Sequence, residues 1–134
     1  MNYSRRDLGL LLTALAADAP AQNTSLPSKV YKFEDLPLHG KSRPVLRGET
    51  HAGVPIELHI TELGPGERPH PPHHHVHEEM IMINEGTLEV TISGKATRIG
   101  PGGVAYVASN EEHGWRNVGD GRARYFVLAI GRDS

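Results

Sequence analysis

Pro69-His70-Pro71-Pro72-His73-His74-His75-Val76-His77-Glu78-Glu79 is the stretch from which this chain is best read. Five of the nine histidines fall within its eight residues 70–77, and two glutamates follow directly. Neutral imidazoles and a carboxylate at this density are the usual materials of a transition-metal site. Such a segment needs a further ligand from elsewhere, and His113 is the available donor. In an extended segment, residues two apart share a face and lie about 6.6 Å apart. His73 and His75 can therefore converge on one ion, while His74 points the other way. Glu79 has the same parity, but on a straight strand it would lie about 13 Å beyond His75. Ligands about 2 Å from one ion cannot bridge that gap. The chain is thus expected to bend between Val76 and Glu78, with Glu79 opening a new strand. His77 falls on the bend as a non-ligand, and His70, His74 and His77 are expected on an exposed rim.

Working outward, Val54, Ile56, Leu58 and Ile60 alternate with Pro55, Glu57, His59 and Thr61. That alternation predicts a strand with one buried and one wetter face. Downstream, residues 79–83 form a nearly continuous apolar run, turned at Asn84-Glu85-Gly86 into the alternating residues 87–92. Residues 96–99, 104–107, 113–117 and 124–130 read as further strands, set off by glycine-containing turns and, before His113, by the polar loop of residues 108–112. Shorter strands are expected at residues 30–33 and 45–47. Strands recur every eight to twelve residues without helical periodicity, which is the pattern of a small antiparallel barrel or sandwich. A chain of 134 residues is one domain. It contains no cysteine, which excludes disulfides, thiolate ligands and a cysteine nucleophile. The formal charge is −2 and basic residues are not clustered, so no nucleic-acid partner is expected.

Residues 1–21 read as an export signal. Arg5 and Arg6 precede an apolar run over residues 8–17, too short to span a bilayer, and small residues at Ala17, Ala19 and Ala21 suit a signal peptidase. The pair is similar to a twin-arginine signal, which implies a periplasmic destination and no stable membrane span. Residues 22–29 are polar and are expected to form a flexible arm, leaving residues 30–134 as the folded barrel.

The spacing His73-x-His75-x3-Glu79-x6-Gly86 resembles the first motif of the cupins, and Pro101-x-Gly103 with His113-x3-Asn117 resembles the second. The resemblance implies an all-β fold, a double-stranded β-helix (jelly-roll) barrel, with His73, His75, Glu79 and His113 as metal ligands facing inward. His59, Ile81 and Trp115 are candidates for the pocket wall. Three imidazoles and one carboxylate suit one divalent transition metal, whether Mn, Fe, Co, Ni, Cu or Zn. The resemblance also implies a homodimer, with residues 30–33 available as an exchanged strand. A metal-dependent enzyme acting on a small oxygenated substrate is the leading expectation, with dioxygenase-like chemistry first and isomerase or lyase chemistry also compatible. The alternative is a non-catalytic protein that holds a small ligand or the metal. No catalytic proton carrier stands out in the sequence.

Overall fold

A computed structural model describes residues 25–133, and the structural statements below concern those residues. The export signal expected at residues 1–21 lies outside them. Eight strands follow one short 3-10 turn at Phe33–Asp35: β1 (Ser42–Glu49), β2 (Pro55–Leu63), β3 (Glu78–Glu85), β4 (Leu88–Ile92), β5 (Lys95–Ile99), β6 (Val104–Val107), β7 (His113–Asn117) and β8 (Ala123–Ile130). They form a five-stranded sheet in the order β1-β2-β8-β3-β6 and a three-stranded sheet in the order β5-β4-β7. All pairings between named strands are antiparallel. The two sheets enclose a core of Leu63, Ile81, Ile83, Leu88, Val90, Trp115, Ala123, Tyr125 and Val127. This is the all-β jelly-roll barrel that the motif spacing implied.

The strands form where the alternation placed them, but in β2 both faces carry buried residues. In β2 the apolar set Ile56, Leu58 and Ile60 was expected inside. Ile60 of that set is indeed 3% exposed, but Thr61 and Leu63, of the opposite parity, are as deeply buried at 3% and 1%, and it is Leu63 that joins the core cluster. Cross-strand neighbours share a face, and Thr61 pairs with Tyr125, which pairs with Ile83. Leu63, Thr61, His59 and Glu57 therefore line the interior, running from the packed core towards the open end. The polar members are tolerated inside because that end is a cavity, where their charge stays hydrated.

Residues 30–33 form no strand. Phe33 instead sits between the guanidinium groups of Arg43 and Arg124, 4.6 and 4.5 Å from its ring centre. Arg43 also donates to Leu36 O at 2.8 Å. These cation–π and carbonyl contacts bind the segment to the outer face of its own sheet, overriding its local β propensity. Further upstream the chain is tied to β1, where Leu26 N donates to Glu49 O at 2.8 Å.

Candidate metal centre

Three separate pieces of chain converge at the open end of the barrel. Glu79 rises from β3 in the larger sheet, and His113 opens β7 in the smaller one. The histidine segment crosses between them without being a regular strand. A two-way bridge fixes it: His73 N donates to His113 O at 3.0 Å and His113 N to His73 O at 2.9 Å. The chain then bends at Val76 and His77, and β3 starts at Glu78, so the bend falls where the ligand-reach argument placed it.

One donor atom from each of His73, His75, Glu79 and His113 lies within 4.8 Å of the others. The hydrogen bonds around the rings define which nitrogen faces inward. His113 Nδ1 is 2.8 Å from Glu111 O, and His75 Nδ1 is 2.8 Å from His77 O. A carbonyl oxygen only accepts, so each Nδ1 carries a hydrogen and each ring turns its Nε2 to the centre. The Nε2 atoms of His73 and His75 are buried with no hydrogen-bond partner. His113 Nε2 lies 3.1 Å from Glu79 Oε1, and His75 Nε2 is 3.6 Å from the same oxygen. Two acceptors at such distances repel unless a cation or proton lies between them, so the arrangement fits a bound cation. Burial, followed by the neighbouring imidazoles of His70, His113 and His75, pushes the His73 ring down to about 4, so it is neutral and able to donate at neutral pH.

The remaining histidines divide. His74 is exposed as expected, but His70 and His77 are half-buried rather than on an exposed rim. The His70 ring packs 3.9 Å from that of His73 and edge-on to Trp115. His77 stacks on His75 at 3.8 Å, turns Nδ1 to Asp133, and leaves Nε2 3.9 Å from Glu79 Oε2. Packing against the donor rings, not solvation, keeps both in place.

Beside the four donors lies a cavity of about 680 Å³ whose walls include Arg47, Glu57, His77, Glu79, Ala129 and Asp133. None of the three residues expected on the pocket wall lines it. Ile81 is fully buried in the core. Trp115 is 3% exposed and donates Nε1–H to Tyr125 Oη at 2.7 Å, which anchors it below the site. His59 faces inward but stands behind Glu57, its Nδ1 3.0 and 3.1 Å from the two carboxylate oxygens. Glu57 is a lining residue that the sequence did not single out, as are Arg47 and Asp133. Its parity with His59 and Thr61 was visible, but its position opposite Glu79 depends on strand order. Arg47 pairs with Glu57, Glu57 with Ala129, and Ala129 with Glu79, so these four form one rung across the sheet.

The fold and the donor cluster together define a small metal-competent jelly-roll barrel. The cupin-domain family model (Cupin_2) matches residues 59–130, and the chain belongs to the cupin family. Among curated proteins it is 30% identical, over 112 residues, to the dimethylsulfoniopropionate lyase DddW of Ruegeria pomeroyi, covering 77% of this chain and 73% of that one. An RmlC-like cupin from Shewanella frigidimarina superposes with a TM-score of 0.63 at 15% identity, over 79% of this chain and 93% of the other. The dimethylsulfoniopropionate lyase DddQ of Ruegeria pomeroyi gives a TM-score of 0.51 at 26% identity, over 57% of this chain and 38% of its own.

Proposed function

We propose that this cupin is a metal-dependent enzyme acting on a small carboxylate-bearing substrate, with elimination as its leading reaction class. The observation that carries the reading is Glu79, which belongs both to the donor cluster and to the wall of the 680 Å³ cavity. A molecule in that space meets whatever the four residues hold. His73, His75, Glu79 and His113 would hold one divalent transition metal. When bound, it would supply a positive charge that draws in a carboxylate and stabilises negative charge developing next to it. The cavity is of the usual size for a small-molecule site, and the similarity to DddW favours lyase chemistry. Oxygenation of a small oxygenated substrate is the second reading, favoured by a three-imidazole, one-carboxylate donor set that suits redox-active ions.

The test is to load the full chain separately with Mn, Fe, Co, Ni, Cu and Zn and offer each form a panel of carboxylates, diols and phenols. Alkene formation and oxygen consumption are followed side by side. Turnover with alkene release supports the first reading and oxygen uptake the second. Stoichiometric metal with neither would make the protein a non-catalytic binder of a ligand or metal.

We further infer a homodimer formed through the outer face of the larger sheet. One outward row runs Leu46, Leu58, Leu128, Met80, Tyr106 and the next Ile60, Phe126, Met82, Val104, by the same cross-strand pairing. On these rows Ile60 is already covered at 3% exposed. Tyr106 and Val104, side by side on the edge strand β6, are 50% and 56% exposed, an apolar edge that a second copy would cover. Light scattering of wild type and Met80→Lys decides this, with a dimer that becomes monomeric in the variant as the expected result. Export through residues 1–21 is part of the same proposal, and N-terminal sequencing of protein from the periplasm tests it.

A further inference from the structure

Among the described residues lining the cavity, five can accept a proton: Glu49, Glu57, His77, Glu79 and Asp133. Glu79 belongs to the donor cluster. Glu49 faces Arg132 at 3.9 Å, and His77 and Asp133 face each other. Glu57 has a different environment. Both its oxygens lie within 3.1 Å of His59 Nδ1, an interior imidazole that does not itself line the cavity. It occupies the same rung as Glu79, separated from it by Ala129. Two strand spacings put the backbones of the two glutamates roughly 10 Å apart. The methyl group of Ala129 fills little of the gap between them, which leaves room for a small acid.

We propose that Glu57 is the proton-accepting catalytic residue for a substrate lying over Ala129, and that His59 is the positioning residue that aims its carboxylate. The inference rests on the enzyme reading above and deepens it by naming a substrate class. That class is a small carboxylic acid with a C–H bond beside the carboxylate and a leaving group on the next carbon. Its carboxylate points to the end of the rung occupied by Glu79, and its α-carbon lies towards Glu57. Glu57 accepts the α-proton as the C–H bond breaks. The electron pair of that bond becomes the new carbon–carbon π bond, and the bond to the leaving group breaks with its pair going to that group. The products are an unsaturated acid, the departed group and a protonated Glu57, which returns its proton to water. No oxidant or reductant is required.

Two readouts test this on the metal-loaded full chain. The first is turnover of 3-substituted propionates, dimethylsulfoniopropionate included, by wild type, Glu57→Gln, His59→Gln and His59→Asn. Metal content and the affinity for unsubstituted propionate are measured for each. Glu57→Gln keeps both and loses kcat by about 10²–10⁴-fold, the usual contribution of a positioned base. His59→Gln lowers kcat with KM unchanged. His59→Asn, whose amide nitrogen can stand in for Nδ1, recovers most of the loss, a rescue that a merely structural role would not give. The second readout is a crystal structure of wild type with propionate, in which the α-carbon lies within about 3.5 Å of a Glu57 oxygen. Turnover by Glu57→Gln within threefold of wild type overturns the inference and leaves the enzyme reading intact, as does an α-carbon turned away from Glu57. A metal-replete wild type that turns over none of the panel overturns both together.

Discussion

Replacing Gly86 by alanine separates two reasons for a glycine that usually act together. Gly86 has φ +86°, and a Cβ there would meet Arg122 O at 2.6 Å, Ala123 Cα at 2.7 Å and Ala123 Cβ at 2.9 Å. Gly94, in the turn between β4 and β5, has φ +84° with nothing within 4 Å. The left-handed backbone costs an alanine roughly 1–2 kcal/mol at either position. Forcing an atom into backbone that cannot swing aside adds roughly 1–3 kcal/mol at Gly86 alone. Gly94→Ala should therefore destabilise by about 1–2 kcal/mol, and Gly86→Ala by about 2–5 kcal/mol. Urea unfolding of both variants beside wild type measures the difference, with m-values compared to ensure that the unfolded states match. Equal losses, within about 0.5 kcal/mol, would show that residues 122–123 yield freely and would refute the packing argument. Ala123 opens β8, and β8 carries Ala129 to its place between Glu57 and Glu79.

Two other perturbations probe the base of the barrel and the donor cluster. Asn117 is fully buried, donates to Leu63 O at 3.0 Å and Gly121 O at 2.8 Å, and accepts from Gly119 N at 2.9 Å. Asn117→Ala leaves the buried Leu63 O without its partner, while Gly119 and Gly121 can turn to water. It should cost about 1–3 kcal/mol in thermal or urea unfolding, the usual cost of a buried orphan. The metal-free fold should also weaken in acid because of His73. The folded ring titrates at about 4 and an ordinary imidazole at 6.5, so the unfolded chain takes up the proton first as pH falls. This contribution is fully present above pH 6.5 and is lost as pH drops towards 4. Urea midpoints of chelator-treated protein should decline through that window, and His73→Ala should flatten the slope.

Much of the architecture could be read from side-chain parity alone. Alternation in β2 and β4 marked strands, and the need to bring Glu79 back to His75 located the bend at Val76 and His77. Parity does not say which face of a strand turns towards the barrel interior. In β2 that is the face of Glu57, His59, Thr61 and Leu63, although Ile60 on the other face is buried too. Its polar set lines a cavity that exists only once β8 and β3 stand beside it. The same gap hid Glu57, whose partner on the rung is 22 residues away in β3, with Ala129 of β8 between them. Val30, Tyr31 and Phe33 carry real β propensity, but two arginines brought together by pairing distant strands capture Phe33 first. Trp115 and Ile81 shared parity with the donors, yet parity could not tell a cavity wall from the core layer beneath it.

On the proposed assignment His73, His75, Glu79 and His113 hold one metal ion, and His77, though stacked on His75, does not. Elemental analysis after purification without chelators or added metal tests it on three proteins: wild type, His75→Ala and His77→Ala. Wild type and His77→Ala should carry about one transition-metal ion per chain, and His75→Ala far less. Metal retained in His75→Ala but lost from His77→Ala would contradict the account.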